Sequence, residues 1–550
     1  MFAFSAITEF FKKAYALITA VLLLFGYGKG TGMGDLDPIT FLERGCHNSM
    51  LAIFSWSFYD PTEKICATDP ITHEKTYTVN LAKNDSEFCQ VVFKARQQRS
   101  TTVSFTPFTN ENGDVLATEV FAEREISTTG TPSGGSYPDP LLPVGRLEKI
   151  LMQPALNYPF LIKAKTDKTS APGDYTATVT VCTPGLADSP DETLTVTVRA
   201  HVWDFTLPDA PSMDTAMGLG KGEIAREHGV DVNSARADEL YKEYYELLLD
   251  HGISAYNLPV DILSDEADAY MDDPRCTSFC VPYGSDDYIR ACYSKLSQKQ
   301  EWLDKAYFYP IDEPCNEEAY ATYTQMTDRL SELFPGYNMV TPFYTDEVTI
   351  NGETQHGIDL QSGRSSIICP ESVLFSDKTF TEKAMARKAA GDKIWWYVCC
   401  GPGPSTDYCN FFVQQQGLKH RLLFWQQKQT GVEGLLYWST NYWGDTDVGP
   451  WASAWTTPWT GNDTFGDGVL LYPGRKAVYD GPLPSYRLEC IADGIQDYEY
   501  LVMAEKLLGK EYVDSLIRSV TNGLEKYTAS DDWFMQIRNT LGKEIEKAMK

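Results

Sequence analysis

Two adjacent carboxylates end an aromatic, apolar segment in the stretch AYFYPIDEPCNEEAY, residues 306–320. They are Asp312 and Glu313, and Pro314 follows them directly. The preceding residues are typical of a β-strand, and Pro314 would end that strand because proline lacks a ladder donor. Carboxylates at a strand end are partly solvated, whereas carboxylates within the strand would carry a severe burial cost. The pair therefore indicates either acid–base chemistry or an ordinary turn cap or salt bridge.

Adjacent carboxylates suit only some glycosidase chemistry. A retaining glycosidase of the common type needs two carboxyls about 5–5.5 Å apart on opposite sides of the bond, and an inverting enzyme needs them farther apart. Two neighbours in one chain do not easily flank a sugar carbon. One of them can instead protonate a leaving oxygen while the other holds a substrate group that itself attacks C1. The carbonyl of a 2-acetamido sugar is such a group, and it would form an oxazolinium.

The amino-acid composition favours some classes of binding partner and disfavours others. The chain of 550 residues has a net charge of −29, which disfavours nucleic acid as a partner because such a surface repels phosphates. It contains 12 Trp, many of them between residues 395 and 459, and this clustering favours a carbohydrate-binding cleft. The seven His and 13 Cys show no zinc-site spacing, so we expect no metal and no cofactor.

The first residues predict export. Lys12 and Lys13 precede an apolar run at 14–25, which has the length of a signal-peptide core and falls short of the roughly 20 residues of a spanning helix. Residues 1–36 are therefore predicted to be a signal peptide or a membrane anchor. A secreted or cell-surface location follows, and membrane association through this segment stays open.

Three further domains are predicted from the periodicity. Residues 37–208 alternate apolar and polar residues over short runs such as YTATVTVCT, which indicates an all-β sandwich. In residues 209–484 strand-like and helical segments alternate, which implies parallel β/α units and a (β/α)8 barrel. Residues 485–550 are predicted to be helical and to pack on the barrel.

Within the barrel, SAYNLPV and a weak TSFCVPY precede AYFYPID as strands, which makes AYFYPID the fourth strand and EGLLYWST the eighth. GDGVLLYPG, residues 466–474, is an extra strand-like segment. The predicted helices include 234–251, 287–304, 316–334, 379–390 and 410–429. If AYFYPID is a barrel strand, its acid pair lies on the face where barrel enzymes build their active sites.

Four stretches, in order, resemble the catalytic domain of glycoside hydrolase family 123 and its relatives of the domain of unknown function 4091. They are YPIDEP, KIWWYVCCGPGP with YCNFFVQQQGLKHRLLFWQQ, GVEGLLYWSTNYWG, and GDGVLLYPG with GPLPSYRLECIADGIQDYEYL. The N-terminal segment ending in VWDFTLPD is also similar to that family's N-terminal domain. The resemblance implies a retaining, substrate-assisted β-N-acetylgalactosaminidase-type enzyme on a barrel. It implies that Asp312 orients the acetamido group and that Glu313 is the acid and then the base.

Other residues are candidates by position. Trp395, Tyr397 and Cys399 share one strand face, and Tyr397 is predicted to donate to the acetamido carbonyl, with a buried core tyrosine as the alternative. Tyr344 ends its strand similarly. At the eighth strand's rim, one of Trp438 and Trp443 is expected to form the sugar-stacking wall. The further candidates for substrate binding there are Tyr437, Asn441 and Tyr442.

The remaining polar and aromatic residues leave alternatives. Trp451, Trp455 and Trp459 would line outer subsites or pack their loop, and Asp445 would bind a hydroxyl or occupy a turn. The predicted structural set, which caps and pairs the last helix, is Arg487, Glu489, Asp493 and Asp497.

Two other functions stay open. One is a glycosidase of another specificity that uses a distant second carboxylate such as Glu433. The other is a non-catalytic glycan-binding surface protein.

Overall fold

The computed structural model describes residues 54–72, 74–128, 135–185, 191–444, 464–474 and 479–550. They belong to one compact unit, Phe54–Lys550. The predicted signal or anchor segment lies outside these residues. Within the described ranges, no helix combines the length and the apolar character needed to cross a membrane.

The first part of the described chain is rich in β-strands, as the alternation predicts. The strands are β1 (Phe54–Tyr59), β2 (Thr78–Lys83), β3 (Ser86–Ala95), β4 (Arg99–Phe105), β5 (Ala117–Thr128), β6 (Gly135–Pro143), β7 (Ile150–Met152), β8 (Asn157–Lys165), β9 (Gly173–Thr183) and β10 (Glu192–Thr206). One antiparallel sheet has the order β1-β3-β8-β5-β6, and a second has the order β2-β10-β9-β4-β7. Only the β10–β2 pair of the second sheet is parallel.

Strand β3 departs from the predicted one-sided burial. It is buried along almost its whole length. Phe93 packs on Phe160 on one face, at 5.7 Å between ring centroids. On the opposite face Phe88 meets Tyr486 of a later helix at 6.3 Å. Strand β3 is therefore buried on both faces, which a period-2 pattern alone does not predict.

The next part of the chain alternates strands and helices. Its strands are β11 (Asp214–Met217), β12 (Phe279–Cys280), β13 (Ala306–Tyr307), β14 (Val340–Phe343), β15 (Glu347–Ile350), β16 (Glu353–His356), β17 (Ile367–Pro370), β18 (Lys393–Val398) and β19 (Gly434–Tyr437). Its helices are α1 (Lys221–His228), α2 (Ala235–Asp250), α3 (Ala267–Asp272), α4 (Asp286–Leu296), α5 (Gln300–Lys305), α6 (Glu317–Leu333), α7 (Gly357–Leu360), α8 (Lys378–Ala389) and α9 (Gly417–Thr430).

The parallel strands form a curled sheet. Five of them have the order β11-β19-β18-β17-β14, and β12 pairs with β13 separately. Single parallel bridges join Met217 to Ala255 and Phe308 to Met339. In addition, the backbone N–H of Cys280 donates to the carbonyl of Tyr256 at 2.6 Å.

Side chains from these strands fill the inside of the curl. We call them the inner cluster, and its buried members are Ala216, Tyr307, Val340, Ile367, Cys369, Trp395, Tyr397 and Leu436. Tyr256, Cys280, Tyr309 and Cys399 pack against it. Trp396 and Val398 belong to the other, outer core, so the two faces predicted for β18 are confirmed.

Several predicted elements have different bounds. SAYNLPV forms a single bridge at Ala255 rather than a strand. The predicted helix 287–304 is two helices, α4 and α5, and the predicted helix 410–429 begins at Gly417. Asn410 lies outside that helix because its side-chain N–H groups donate to the carbonyls of Cys399 and Pro402, both at 2.9 Å.

The last part is helical after a short antiparallel pair. The pair is β20 (Leu471–Pro473) and β21 (Pro482–Pro484), and the helices are α10 (Tyr486–Leu508), α11 (Lys510–Val520) and α12 (Asp531–Met549). Helix α10 is buried on nearly all sides, because it lies between α9 and the first β-sheet. It therefore needs internal partners for each of its charged residues.

Buried ion pairs supply those partners. Arg421 of α9 contacts Glu87 of β3 at 2.8 Å, Asp493 at 2.9 Å and Asp497 at 2.7 Å. The other pairs are Lys163–Glu489 at 2.6 Å, Arg487–Asp139 at 2.8 Å and Arg538–Asp497 at 3.2 Å. Nearby Arg421 and Arg538 lower the pKa of Glu87 to about 2 despite its burial. The four residues predicted to be structural are thus bound into the joint between the β-rich part and the later helices.

We expect Arg421→Met to destabilise the protein by about 3–5 kcal/mol, because three buried carboxylates lose Arg421 as an ion-pair partner. Urea unfolding would measure this. The matched control is Arg236→Met, since Arg236 pairs with Glu239, Glu243 and Asp480 at the surface. Exposed pairs contribute less than about 1 kcal/mol. Equal losses in the two variants would contradict the proposed importance of the buried network.

Candidate active site

The acid pair lies beyond a strand that is shorter than predicted. β13 covers only Ala306–Tyr307, and Phe308 adds one bridge. Pro310 lacks the N–H that would continue the ladder, so Pro310 rather than Pro314 explains the early end. The following residues, including Asp312 and Glu313, form a loop at the carboxyl end of the strand.

An unusual backbone conformation lets both acids reach the same region. In an extended strand, neighbouring side chains point to opposite faces. Glu313 instead has φ +42°, in the left-handed region that non-glycine residues seldom adopt. Asp312 Oδ1 accepts a hydrogen bond from the hydroxyl of Tyr309 at 2.7 Å, and Glu313 Oε1 accepts one from the hydroxyl of Tyr397. Both tyrosines pack in or on the inner cluster, so both carboxyls are anchored to it.

Glu313 has the electrostatic environment of a proton donor. Its partial burial raises its pKa above the usual range, and the neighbouring charge of Asp312 raises it further. The hydrogen bond from Tyr397 opposes these effects only in part. Asp312, in contrast, is exposed. The two neighbours therefore differ in solvation, which is how acid and base roles are separated in glycosidases.

The two tyrosine candidates lie near this pair. Tyr397 is buried, and its hydroxyl donates a hydrogen bond to Glu313. In this structure the hydroxyl therefore positions the carboxyl of Glu313 and does not face an open cleft. Tyr344 follows β14 and is 46% exposed. Its hydroxyl lies beside the thiol of Cys315, two residues after Glu313. The structure thus brings Tyr344 and Tyr397 together with the acids.

An aromatic side chain stands at the end of β19. Trp438 is half-buried, and its indole N–H donates to Asp467 at 3.0 Å. Its ring lies over Gly468 and 5.1 Å from the ring of Tyr442. Among the aromatic candidates for a stacking wall, Trp438 is the one that is both held in place and accessible.

The other predicted residues of this rim lie in the core. Trp443 is 1% exposed, and its indole N–H donates to the carbonyl of Leu471, so the structure contradicts its use as a wall. Buried Tyr437 donates to Asp467 at 3.2 Å. Buried Asn441 bonds the backbone of Gly220. Asp445, Trp451, Trp455 and Trp459 lie outside the described residues.

Comparisons with known proteins agree with this geometry. Residues 275–504 match the family model described as glycoside hydrolase 123, catalytic domain. This segment of the chain is therefore similar to the family 123 catalytic domain. The match includes Asp312, Glu313, Tyr397 and Trp438. The coarse function that follows is that of a glycoside hydrolase.

Solved structures support the same fold. A family 123 glycoside hydrolase from Clostridium perfringens, described in work on glycolipid glycan hydrolysis, has a TM-score of 0.64 and 15% identity. The match covers 90% of this chain and 98% of that one. A putative beta-galactosidase from Bacteroides fragilis covers 70% of this chain and 56% of its own, with 9% identity and a TM-score of 0.25, which is too low to indicate a shared fold. A search of curated proteins found no match.

Glu433 is not part of this family 123 site. It directly precedes β19, whereas Glu313 lies beyond the carboxyl end of β13, and the strands of the curl run parallel. The two acids therefore belong to opposite rims. Glu433 pairs with Lys388 at 3.3 Å. Its proposed use as a second catalytic carboxylate is wrong.

Sequence reasoning missed Glu371 and Asp467. Glu371 directly follows β17, and the only available signal was an acid after an apolar strand-like run. Asp467 lies between Gly466 and Gly468, both with positive φ, in the GDG turn. Burial raises the pKa of Asp467 to about 6, while Trp438 and Tyr437 donate to it. Among the described residues, no group of three or more His, Cys, Asp or Glu side chains is arranged to hold a metal ion.

We expect Gly468→Ala to raise the KM for an aryl glycoside, because the added Cβ would clash with the ring of Trp438. Gly363→Ala is the matched control, since Gly363 has φ +71° against +74° for Gly468 but open space around its Cβ. Both variants should lose about 1 kcal/mol or more of stability through strain. Only Gly468→Ala should change KM, and equal KM values would contradict the role of Trp438.

Proposed function

We propose that this chain hydrolyses β-linked 2-acetamido sugars with retention, with N-acetylgalactosamine as the favoured sugar. The acetamido carbonyl would be the nucleophile, and an oxazolinium would be the intermediate. One observation carries the proposal: Asp312 and Glu313 are adjacent, anchored to one inner cluster, and unequal in solvation. This arrangement favours one proton donor and one residue that holds the attacking group.

Spacing argues against the common two-carboxylate schemes. Consecutive Cα atoms are about 3.8 Å apart, so both acids approach a sugar from one side. A double displacement requires carboxyls that flank C1, and an inverting mechanism requires room for a water on the far side. Glu433 is at the other rim. A nucleophile supplied by the substrate removes the need for a carboxylate on the far side of C1.

The proton balance assigns the roles. Protonated Glu313 gives its proton to the glycosidic oxygen, and the C1–O bond breaks as the acetamido oxygen bonds to C1. Asp312 accepts a hydrogen bond from the amide N–H and stabilises the positive charge of the ring. Glu313 then takes a proton from a water whose oxygen attacks C1, which reopens the ring with retained configuration. The raised pKa of Glu313 suits its first role.

We also propose that the curled sheet closes as a (β/α)8 barrel. Eight parallel segments follow one another by pairing: 214–217, 255–256, 279–280, 306–308, 339–343, 367–370, 393–398 and 434–437. The last segment, 434–437, pairs in parallel with the first, 214–217. The acids would then lie at the carboxyl end of the fourth strand, on the face that barrel enzymes use.

The proposal also covers the substrate class and the cellular location. A glycan or glycoconjugate is the proposed substrate, and the net charge of −29 disfavours nucleic acid. The apolar run after Lys12 and Lys13 supports export to the cell surface or the medium.

We expect Glu313→Gln to lower kcat/KM by roughly 10²–10⁴ for an aryl β-N-acetylgalactosaminide with a poor leaving group. A dinitrophenyl leaving group needs no proton, so its cleavage should fall far less. Glu433→Gln, which changes an acid at the opposite rim, should leave both rates unaltered. Equal losses on both substrates, or no loss, would refute the assignment of Glu313 as the acid.

Asp312→Asn should lower kcat by roughly 10²–10³ even with a good leaving group, because the variant loses charge stabilisation of the oxazolinium. A thiazoline mimic of that ring should inhibit the wild-type protein and bind the variant much more weakly. Inhibition assays and calorimetry would measure both effects. Absence of inhibition at millimolar thiazoline, with an active enzyme, would eliminate substrate assistance.

A further inference from the structure

A third carboxyl stands beside the acid pair. Glu371 directly follows β17, and its backbone N–H donates to the carbonyl of Phe343 at 2.9 Å. A parallel bridge pairs it with Tyr397, whose hydroxyl donates to Glu313. Glu371 is therefore fixed on the same rim as Glu313, one strand away from the tyrosine that binds Glu313.

The side chain of Glu371 lies against bare backbone. Its Oε1 occupies the space that a Cβ at Gly401 would need. Within the described part of the chain, no protein group makes a hydrogen bond or an ion pair with this carboxyl. Burial raises the pKa of Glu371 to about 7, and the nearby charge of Glu313 contributes. At neutral pH it is thus a carboxyl that can both donate and accept.

A half-buried polar group without a protein partner usually bonds to water or to a ligand. A sugar bound beside Glu313 displaces water from this rim of the sheet, and the carboxyl of Glu371 then needs a hydrogen-bond partner on the sugar. An unpaired polar group would carry the full cost of its desolvation. A site of this kind discriminates strongly against ligands that lack the matching hydroxyl.

We propose that Glu371 binds a hydroxyl group of the sugar held by Asp312 and Glu313 and thereby selects which 2-acetamido sugar is accepted. The inference rests on the proposed function. Hydroxyls differ between sugars in position and configuration, so a carboxyl fixed between Tyr397 and Gly401 meets only some of them. Glu371 is a substrate-binding residue in this scheme and takes no part in bond breaking.

A nucleophilic role is the competing assignment. A nucleophile must be ionised, whereas Glu371 is partly protonated near neutrality. In the described ranges, no lysine, arginine or histidine forms an ion pair with Glu371. These conditions favour hydrogen bonding to a neutral hydroxyl.

The test combines one variant with a set of substrates. Glu371→Gln keeps the shape of the side chain, and kcat/KM is measured on aryl β-N-acetylgalactosaminide and its 3-deoxy, 4-deoxy and 6-deoxy analogues. We expect a loss of roughly 10- to 100-fold on the parent, mainly in KM. On the analogue without the contacted hydroxyl, wild type and variant should have equal kcat/KM. Glu371→Ala should show the same pattern if Gln retains part of the bond.

Controls separate the possible failures. Glu433→Gln should behave as wild type on all four substrates, and circular dichroism with a thermal melt establishes that each variant is folded. If the wild type cleaves no acetamido sugar, the proposed function fails. If the wild type is active and the loss is equal on every analogue, hydroxyl binding is overturned. If kcat collapses and azide restores it as a glycosyl azide, Glu371 is the nucleophile and the inference is likewise overturned.

Discussion

Removing a carboxylate from water costs free energy, and a partner in the protein must offset that cost. The buried or half-buried acids discussed above fall into two groups, those paired with a cation and those bound by a neutral hydroxyl. Glu87, Asp139, Glu489 and Asp497 are paired with arginine or lysine in the dry joint around α10. Ion pairs of this kind offset the cost of burying a charge, so they connect the β-rich part to the later helices. At the mouth, Glu313 is bound by a neutral hydroxyl instead. Neutral donors leave the proton available, which is the condition for acid catalysis.

The inner cluster connects the fold to this chemistry. Tyr397 fills the interior of the curl with its ring and presents its hydroxyl to Glu313. Tyr309 packs against the same cluster, and its hydroxyl donates to Asp312. The packing of two aromatic rings therefore sets the positions of both carboxyls. The left-handed backbone at Glu313 is tolerated because these contacts over-determine it, as is typical of strained residues at functional sites.

The sequence indicated much of this site because its signals are local. An acid pair after an aromatic run, and the alternation of strand and helix, are visible within single segments. Tertiary contacts decided the rest. Trp438 and Trp443 follow the same strand, and only the packing of Trp443 against Leu471 separates a core residue from a wall. The surroundings of Glu371 are set by Tyr397 of β18 and by Gly401 in the loop after that strand. Likewise, β3 is buried on both faces only because α10 covers it.

The position of α10 in the chain has a consequence for biosynthesis. The ribosome completes β3, β6 and β8 long before it reaches residue 486. Until then Asp139 and Lys163 lack the counterions that α10 provides, Arg487 and Glu489. The face of the first sheet that α10 covers in the folded protein therefore stays exposed until α10 has been synthesised. Apolar surface that stays exposed during synthesis makes folding intermediates prone to aggregation, which is the condition under which chaperones act.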